Sequence, residues 1–317
     1  MIVVTGASGY IGGQISLKLA DAGQEVFGVD LRPAHNGLVP AFAKFMQCDF
    51  ASGEALDEIL QLQPTAIIHC AGTSLVGPSM MNPAEYYKNN VAKTMALLDT
   101  VRLGLPNIKF IYSSSAAVYG EPFMTPCHEV DPCEPMSPYG ESKRMVEQIL
   151  ESYHRAYGLD YIAFRYFNAC GADPEARHGQ EPGATHLIAR ILESLRDHKE
   201  FKIYGSDYNT DDGTCVRDYI HVDDIAFAHM LALDPKIKSG VYNLGDGTGT
   251  SVKEILNLVK ETLGHGPDTG IGANRAGDPA KLTASSEKFD REVGMPWHTH
   301  NLKDIINHAW TWYSRNV

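Results

Sequence analysis

The sequence has 317 residues, of which 44% are apolar and 21% are charged, and its formal net charge is -12. This length allows a well-buried core in one large domain or in two lobes. The acidic balance argues against a nucleic-acid partner, because proteins that bind nucleic acid present a basic face. No apolar run approaches the roughly 20 residues that cross a bilayer, and the N-terminal segment lacks the features of a secretory signal. We therefore expect no membrane partner and a cytoplasmic location. The cysteines form no C-x-x-C pair and indicate free thiols rather than a disulfide framework; they are Cys48, Cys70, Cys127, Cys133, Cys170 and Cys215.

The first half of the chain alternates short apolar runs with helical patterns. The runs predict strands at 2–5, 25–30, 66–71, 109–115 and 161–167, with a further strand ending just before Asp49. They are continuous rather than alternating in polarity, as in strands that are buried on both faces of a parallel sheet. The strand–helix–strand repetition predicts an α/β fold with a Rossmann-like, doubly wound parallel sheet.

The second half is richer in loops. Polar, Gly- and Pro-rich segments flank a predicted helix near 184–198, and an amphipathic helix is predicted within 301–314. Ordered loops of this length are uncommon unless they are functional, so we predict a smaller α/β substrate-binding lobe over a ligand cleft. We assign 1–167 to a dinucleotide-binding Rossmann domain, with 217–242 returning to it, and 168–216 and 243–317 to the substrate lobe.

A glycine-rich turn, Gly6-Ala7-Ser8-Gly9-Tyr10-Ile11-Gly12, joins the first predicted strand to a helix. Glycines permit close backbone approach and a helix N-terminus favours negative charge, so the turn predicts a pyrophosphate site. Its spacing is GxxGxxG rather than the GxGxxG of common dehydrogenases. Asp30 closes the second strand, where a carboxylate binds the adenosine ribose and repels a 2′-phosphate. This favours NAD over NADP, although the neighbouring Arg32 leaves that preference open.

Two further strand ends suit a cofactor. Asp49 and Phe50 lie where they would bracket the adenine, although the dipeptide alone also fits a plain turn. The fourth strand ends in His69-Cys70-Ala71-Gly72, whose small residues let a cofactor lie close to the sheet and equally suit simple packing.

A Tyr–Lys pair in the segment SPYGESK is the candidate for proton transfer. Ser137 is a good N-cap and Pro138 suits the first helical position. Tyr139 and Lys143 are then four residues apart on one helix face. A lysine ammonium there would lower the tyrosine pKa and make a base that removes a hydroxyl proton. Alone, the pair would be an exposed helical Tyr and Lys.

The hydroxyl-rich segment YSSSAAVYG favours a catalytic role for that pair. It ends a predicted strand at the carboxyl edge of the sheet, where open α/β sheets bind ligands. There Ser115 would contact the same substrate oxygen as Tyr139. We therefore predict Ser115, Tyr139 and Lys143 as the catalytic set.

These residues resemble the extended short-chain dehydrogenase/reductase family, and within it the UDP-glucose 4-epimerases. The resemblance covers essentially the whole chain, through TGASGYIG, SSSAAVYG, SPYGESK, RYFNACGA, DGTCVRDYIHVDDIA, YNLGDGTGTS and RAGDPAKL. The first and third motifs define the superfamily only, whereas RYFN and DGTCVRDYIHVDD are close to an epimerase signature.

The resemblance implies roles residue by residue. Tyr139 is the catalytic base and acid, Lys143 tunes its pKa and binds the nicotinamide ribose, and Ser115 contacts the sugar hydroxyl. The implied NAD contacts are Gly6, Gly9, Tyr10, Ile11, Gly12, Asp30, Asp49, Phe50, Ala71, Asn90, Lys143, Tyr166 and Phe167. The implied nucleotide-sugar contacts are Asn168, His186, Leu187, Tyr204, Arg217, Tyr219, Arg275 and Asp278. The two arginines also suit bidentate binding of a diphosphate in an acidic protein.

Some positions depart from the family pattern. Pro78 stands where a similar segment has Glu, and Ser74 where some relatives have Lys. His186 replaces an Asn; it either binds the substrate or packs within a helix. Leu282 falls where a bulky Tyr restricts the pocket to plain hexoses, so N-acetylated sugars stay open.

The implied reaction is NAD-dependent inversion at C4 of a UDP-hexose, UDP-glucose or UDP-galactose, through a 4-keto sugar. Epimerases of UDP-N-acetylhexosamines, UDP-glucuronate or UDP-pentoses remain alternatives, as does a non-catalytic NAD-binding protein on the same fold. A 4,6-dehydratase is disfavoured, because Ser113-Ser114-Ser115-Ala116-Ala117 carries no carboxylate.

The sequence also bears on metal binding and on the oligomeric state. No set of Cys, His and carboxylate residues has zinc-site spacing, and His298 and His300 fit surface positions near a turn, so we expect no metal. The resemblance also implies a homodimer that pairs helices near 85–103 and 140–157. An apolar stripe through Val146, Ile149, Leu150 and Tyr153 suits either this interface or packing on the sheet.

Overall fold

The computed structural model describes residues 1–273 and 279–315. The strands are β1 (Ile2–Thr5), β2 (Val26–Asp30), β3 (Lys44–Gln47), β4 (Ala66–His69), β5 (Lys109–Ser115), β6 (Asp160–Tyr166), β7 (Asn168–Cys170), β8 (Phe201–Tyr204), β9 (Val216–His221), β10 (Gly240–Leu244), β11 (Gly249–Ser251), β12 (Thr269–Gly272) and β13 (Lys281–Leu282). The helices are α1 (Tyr10–Asp21), α2 (Gly53–Leu62), α3 (Val76–Met81), α4 (Pro83–Tyr86), α5 (Lys93–Gly104), α6 (Pro138–Tyr157), α7 (Leu187–Arg196), α8 (Val222–Leu231), α9 (Val252–Leu263), α10 (Glu287–Val293) and α11 (Leu302–Arg315).

Seven parallel strands form the central sheet, in the order β3-β2-β1-β4-β5-β6-β10. The predictions of strands at 2–5 and 109–115 are confirmed to the residue, and the other three are confirmed with ends shifted by one or two residues. The strand order reverses between β1 and β4, which is where doubly wound sheets open a crevice for ligands.

Two apolar layers cover the sheet, because successive strand side chains point to opposite faces. Val4 and Ile68 face the layer that contains α1 and α8. Val3 and Ile67 face the other layer, which contains α2, α5 and α6. This double burial accounts for the continuous apolar runs in the sequence, since neither face of these strands meets water.

A smaller lobe has its own core, formed by α7, α9 and α11 together with the strand β8 and residues of β9. Ile191, Ile255 and Ile306 are among its fully buried side chains. Ser251 starts α9 with a capping box: its hydroxyl accepts from the Glu254 amide, and the Glu254 carboxylate accepts from the Ser251 amide.

The segment 217–242 contains strands of two different sheets: β9 belongs to a four-stranded sheet and β10 to the central one. Strand β9 pairs with β7, β11 and β13 in a four-stranded sheet. The outer edge of β6 in the central sheet is occupied by β10, in the register Val241 opposite Ala163. Helix α8 does pack on α1, and β10 continues to Leu244. The return of 217–242 to the dinucleotide-binding domain stays a prediction.

No helix within the described residues, 1–273 and 279–315, combines the length and apolar character that a membrane crossing requires.

Candidate active site

A cavity of about 1430 Å³ opens at the carboxyl ends of the central strands. We call its two walls the sheet side, formed by the glycine turn, the ends of β2, β4 and β5 and the start of α6, and the lobe side, formed by Tyr204, Arg217, Tyr219 and Leu282. The position agrees with the crevice expected where the strand order reverses.

Most of the predicted site residues line this one cavity. They are Gly6, Gly9, Tyr10, Ile11, Gly12, Asp30, Asp49, Phe50, Ala71, Ser115, Tyr139, Lys143, Tyr166, Phe167, Asn168, His186, Leu187, Tyr204, Arg217 and Tyr219. Arg275 and Asp278 lie outside the described residues.

Asn90 is the described site residue that does not line the cavity. Its amide oxygen accepts from the Thr73 backbone N–H at 2.8 Å. Its amide nitrogen donates to the Thr73 carbonyl at 3.0 Å and to the Ser142 hydroxyl at 2.9 Å. Asn90 thus ties the loop after β4 to α6, and its contact with a cofactor stays a prediction.

Two glycines of the turn, Gly6 and Gly12, have no room for a side chain. Gly6 has a φ of +71°, which favours glycine, and a Cβ there would lie 2.7 Å from the Ala71 nitrogen. A Cβ on Gly12 would lie 2.2 Å from the Gly6 carbonyl oxygen. The bare turn delivers the first turn of α1 to the cavity, and the backbone N–H groups of a first helical turn have no partner within the helix. This cradle fits the pyrophosphate of a dinucleotide.

Asp30 is held in place at the carboxyl end of β2, beside the glycine turn. One carboxylate oxygen accepts from the Ser8 N–H at 3.0 Å and the other from the Arg32 N–H at 2.9 Å. The Arg32 guanidinium meanwhile contacts both carboxylate oxygens of Glu181, at 2.8 and 2.9 Å. Two carboxylates therefore surround the arginine, and this charge balance suits the ribose hydroxyls of NAD better than a 2′-phosphate.

Asp49 and Phe50 follow β3, and their contact with the adenine stays a prediction. Asp49 pairs with Lys93 at 2.6 Å. Phe50 is buried and meets the His69 ring edge-on, with centroids 4.8 Å apart. Both residues line the cavity.

Helix α6 begins as the sequence predicts. The Ser137 hydroxyl accepts from the Gly140 N–H at 3.2 Å, and Pro138 is the first helical residue. Gly158 ends the helix in the left-handed conformation. Because this start fixes the helix phase, Tyr139 and Lys143 both reach the cavity.

Ser115, Tyr139 and Lys143 come together on the sheet side. Ser115 ends β5, its hydroxyl accepts from the Ala117 N–H at 3.2 Å, and it is hydrogen-bonded to Tyr139. Lys143 donates to the Ser113 carbonyl at 2.7 Å, with its ammonium 5.8 Å from the centre of the Tyr139 ring.

The pKa of Tyr139 departs from expectation. Burial raises it above the ordinary value, and the hydrogen bond with Ser115 opposes this without reversing it. The Lys143 ammonium is directed at a backbone carbonyl rather than at the phenol, so the lysine alone does not produce the lowered tyrosine pKa that the sequence predicts. Burial also lowers the pKa of Lys143 to about 8.

Sequence reasoning missed a chain of buried side chains behind the site. The Tyr166 hydroxyl lies 2.9 Å from the Ser113 hydroxyl and 2.8 Å from His229 Nε2. His229 Nδ1 faces the Ile225 carbonyl at 2.8 Å and therefore carries the ring proton. The Ser113 hydroxyl contacts the Cys70 thiol at 3.0 Å. No sequence signal marks His229, because its partner Tyr166 lies on β6, 63 residues away in the chain.

The lobe side is built from shorter elements. Leu282 and Arg217 are paired in register on β13 and β9. The Asn168 amide donates to the Asp218 carbonyl at 2.8 Å. His186 precedes α7 and hydrogen-bonds through Nδ1 to the Gln180 side-chain amide, so neutral His186 carries its proton on Nε2. It lines the cavity rather than packing within the helix.

Three histidines away from this cavity, His221, His300 and His308, have ring nitrogens within 4.8 Å of one another. The Asp223 N–H donates to His221 Nδ1 at 2.9 Å, so neutral His221 carries its proton on Nε2 and donates it to His308 at 2.9 Å. His300 pairs with Asp224 at 2.8 Å and is not a plain surface residue. These contacts form a hydrogen-bonded cluster, and the expectation of no metal stays a prediction.

Comparisons with known proteins agree with this geometry. A family model described as "NAD dependent epimerase/dehydratase family" matches residues 2–245. UDP-glucose 4-epimerase from Halalkalibacterium halodurans is 41% identical over 99% of this chain and 96% of its own length. A solved UDP-glucose 4-epimerase from Stenotrophomonas maltophila, with bound NAD and formylated UDP-arabinopyranose, superposes with a TM-score of 0.93 at 32% identity, over 100% of this chain and 99% of the other. A UDP-glucose 4-epimerase from Brucella ovis in complex with NAD gives a TM-score of 0.92 at 37% identity, over 98% and 97%. The chain therefore belongs to the NAD-dependent epimerase/dehydratase family, as its extended short-chain dehydrogenase/reductase motifs predict.

Proposed function

We propose that this protein catalyses NAD-dependent epimerisation at C4 of a UDP-hexose, interconverting UDP-glucose and UDP-galactose through a 4-keto sugar. The observation that carries the proposal is the grouping of Ser115, Tyr139 and Lys143 on a cavity wall beside the bare glycine turn. Relatives named UDP-glucose 4-epimerase along the whole chain support the choice of substrate.

In this proposal Tyr139 removes the proton of the sugar 4-hydroxyl, and Ser115 hydrogen-bonds to the same oxygen. NAD, bound on the glycine turn, supplies the chemistry that takes up and returns a hydride at C4. Lys143, charged below its pKa of about 8, stabilises the phenolate by its positive charge. Because burial raises the Tyr139 pKa in the protein alone, proton removal also requires the positive charge of the oxidised cofactor.

The two walls would divide the remaining tasks. Inversion requires the keto sugar to turn while the nucleotide stays anchored. The predicted cofactor residues Gly6, Asp30, Tyr166 and Phe167 belong to the larger domain, and we propose that this domain holds NAD. We propose that Arg217 anchors the UDP diphosphate, because a guanidinium binds phosphate oxygens in pairs. A structure with NAD and UDP bound tests this assignment, and a diphosphate far from Arg217 would refute it.

A second candidate, a UDP-N-acetylhexosamine epimerase, is favoured by Leu282. This side chain lines the cavity at the level of Arg217, where a tyrosine would take up more space. Either substrate uses the same catalytic set, so the choice is one of pocket size.

We also propose a homodimer. Val91, Met95, Met145, Ile149 and Tyr153 line a shallow groove between α5 and α6, together with Gln148 and Ser152. Met95 and Met145 are each 40% exposed within this apolar groove, and a second copy would cover them. A monomeric mass by light scattering would overturn this proposal.

We propose a cytoplasmic location, which suits the six free cysteines and is checked by cell fractionation.

The test of the proposed function uses Tyr139→Phe. UDP-galactose is supplied and UDP-glucose is measured with a coupled assay. We expect the variant to lose at least about 100-fold in kcat, since general acid–base groups contribute roughly that much or more. It should still copurify with NAD, because the substitution removes only the hydroxyl.

Tyr157→Phe is the matched control, because Tyr157 lies exposed at the end of the same helix. It should retain full activity. A wild-type protein without turnover, or a fully active Tyr139→Phe variant, would refute the proposal.

A further inference from the structure

We infer that Glu147 is a positioning residue that locks helix α6, which carries Tyr139 and Lys143, onto strand β5, which carries Ser115. The inference rests on the proposed function, because these three residues are its catalytic set. Glu147 itself does not line the cavity, so it acts on the reaction through its neighbours.

Glu147 lies one helical turn after Lys143, on the buried face of α6. Its side chain is only 1% exposed. One carboxylate oxygen accepts from the Ser114 hydroxyl at 2.6 Å. Ser114 directly precedes Ser115, so a single hydrogen bond joins the helix to the strand at the catalytic residues.

Strand β6 holds the same carboxylate from another direction. Arg165 donates from Nε to one oxygen at 2.9 Å and from Nη2 to the other at 2.7 Å. Arg144, one turn before on the solvent side, donates at 3.0 Å. Arg165 is in turn hydrogen-bonded to the Tyr119 hydroxyl at 2.9 Å.

A buried charge is costly unless it is paired and fully hydrogen-bonded, and Glu147 meets this condition through three side chains. The carboxylate can therefore take only one orientation. Since it contacts both β5 and β6, any slide or rotation of α6 would break several of these bonds together. The spacing between Ser115 and the Tyr139–Lys143 pair is thereby fixed.

Glu147 also acts on the charge of Lys143. The titratable groups that face Lys143 come from β4 and its end (His69, Cys70), from β5 (Tyr112) and from α6 (Tyr139, Glu147). Burial lowers the pKa of Lys143 to about 8, and Cys70 and Glu147 oppose this fall. Removing the negative charge of Glu147 must lower that pKa further, so Lys143 would lose its proton at a lower pH.

The experiment compares Glu147→Gln with Glu151→Gln. Glu151 lies on the same helix, four residues further, in an exposed pair with Arg155. For Glu147→Gln we expect kcat to fall about 100-fold with KM unchanged, because small misplacements of reacting groups cost rates of that order. The alkaline limb of the activity profile should move about one pH unit toward acid, as expected for a lost opposite charge. Glu151→Gln should match the wild type in both.

A merely structural role would lower stability without moving the pH profile. Heteronuclear NMR of the Lys143 ammonium nitrogen, assigned by its loss in Lys143→Met, measures the same pKa without turnover. It separates the two failures. A wild type that lacks epimerase activity refutes the proposed function, whereas an unmoved Lys143 titration in Glu147→Gln overturns the inference.

Glu147→Gln leaves the Arg165 charge buried and uncompensated, which destabilises the fold. Ser114→Ala is the second variant, because it removes the helix–strand hydrogen bond and keeps the ion pair. We expect a roughly tenfold loss in kcat with an unchanged pH profile. A wild-type kcat in Ser114→Ala would overturn the positioning role.

Discussion

The two walls of the cavity are built differently. On the sheet side Lys143 is 5% exposed and Tyr139 is 9% exposed, and both stand on α6, a helix of 20 residues. On the lobe side Tyr204 is 39% exposed, and Leu282 belongs to a strand of two residues. The groups that would do the chemistry stand on a long helix and a buried strand of the central sheet, whereas those that would recognise the sugar nucleotide stand on strands of two to six residues outside it.

This difference follows from what each wall must do. A tyrosine acts as a base only in a fixed position relative to the reacting hydroxyl, and regular elements hold such positions most precisely. A sugar that presents each face of C4 in turn needs space and yielding neighbours. Substitutions on the sheet side should therefore abolish function, and those on the lobe side should change affinity or substrate choice.

Gly12→Ala tests the sheet side and should have the largest effect on cofactor binding and stability. The new Cβ would lie 2.2 Å from the Gly6 carbonyl oxygen, so the backbone of the turn must shift. We expect the purified variant to carry little or no NAD, and its stability to fall by about 1–3 kcal/mol, as for other overpacked sites. Cofactor content after acid release and thermal unfolding measure the two effects.

Gly53→Ala is the control for that substitution. Gly53 is the first residue of α2, and a Cβ there would meet no atom within 4 Å. It should keep its NAD and unfold at the wild-type temperature or slightly above, since alanine favours a helix over glycine. Full NAD content in Gly12→Ala would show that the sheet side is less constrained than its geometry indicates.

Arg217→Leu tests the lobe side and should have a smaller, different effect. Losing charge-assisted hydrogen bonds costs about 1.5–3 kcal/mol, so we expect KM for the UDP-sugar to rise about 10- to 100-fold. NAD content should not change. Arg291→Leu, at an exposed position on α10, is the control and should leave KM unaltered. Loss of NAD in Arg217→Leu would contradict the division of tasks between the two walls.

The sheet side could largely be predicted from the sequence. Its signals are local: continuous apolar runs give the strands, the glycines give the turn, and Ser137-Pro138 sets the phase of α6. Each of these signals depends on residues that are close in the chain, and the place of Ser115 at the carboxyl end of a strand, together with the family resemblance, connected it to Tyr139 and Lys143.

What the sequence could not supply depends on distant contacts. The stripe on α6 divides, because Val146 and Leu150 pack on the sheet while Ile149 and Tyr153 line the outer groove. Asn90 turns toward Thr73 and Ser142, a choice that no local pattern encodes. The placement of β9 beside β7 and β13 likewise depends on contacts that are distant in the chain.

Glu147 did leave a signal, in retrospect. It is an acidic residue between Val146 and Leu150, on the apolar face of an amphipathic helix. A carboxylate on a buried face requires a cation, and Arg165 is a buried charged residue within the largely apolar strand β6. The two buried, oppositely charged residues therefore predict each other as partners.

Leu282→Tyr should have the smallest effect on catalysis and the clearest effect on substrate choice. A tyrosine at this point of the lobe side fills space beside Arg217, so bulky N-acetyl groups should be excluded. We expect turnover of UDP-galactose within about threefold of the wild type, and turnover of UDP-N-acetylgalactosamine to fall about tenfold or more, as for steric discrimination of a few methyl groups. Lys281→Tyr is the control, because adjacent strand residues point to opposite faces and Lys281 does not line the cavity. Equal losses with both sugars would place Leu282 among the residues that hold the nucleotide, and the lobe side would then contribute anchoring rather than selection.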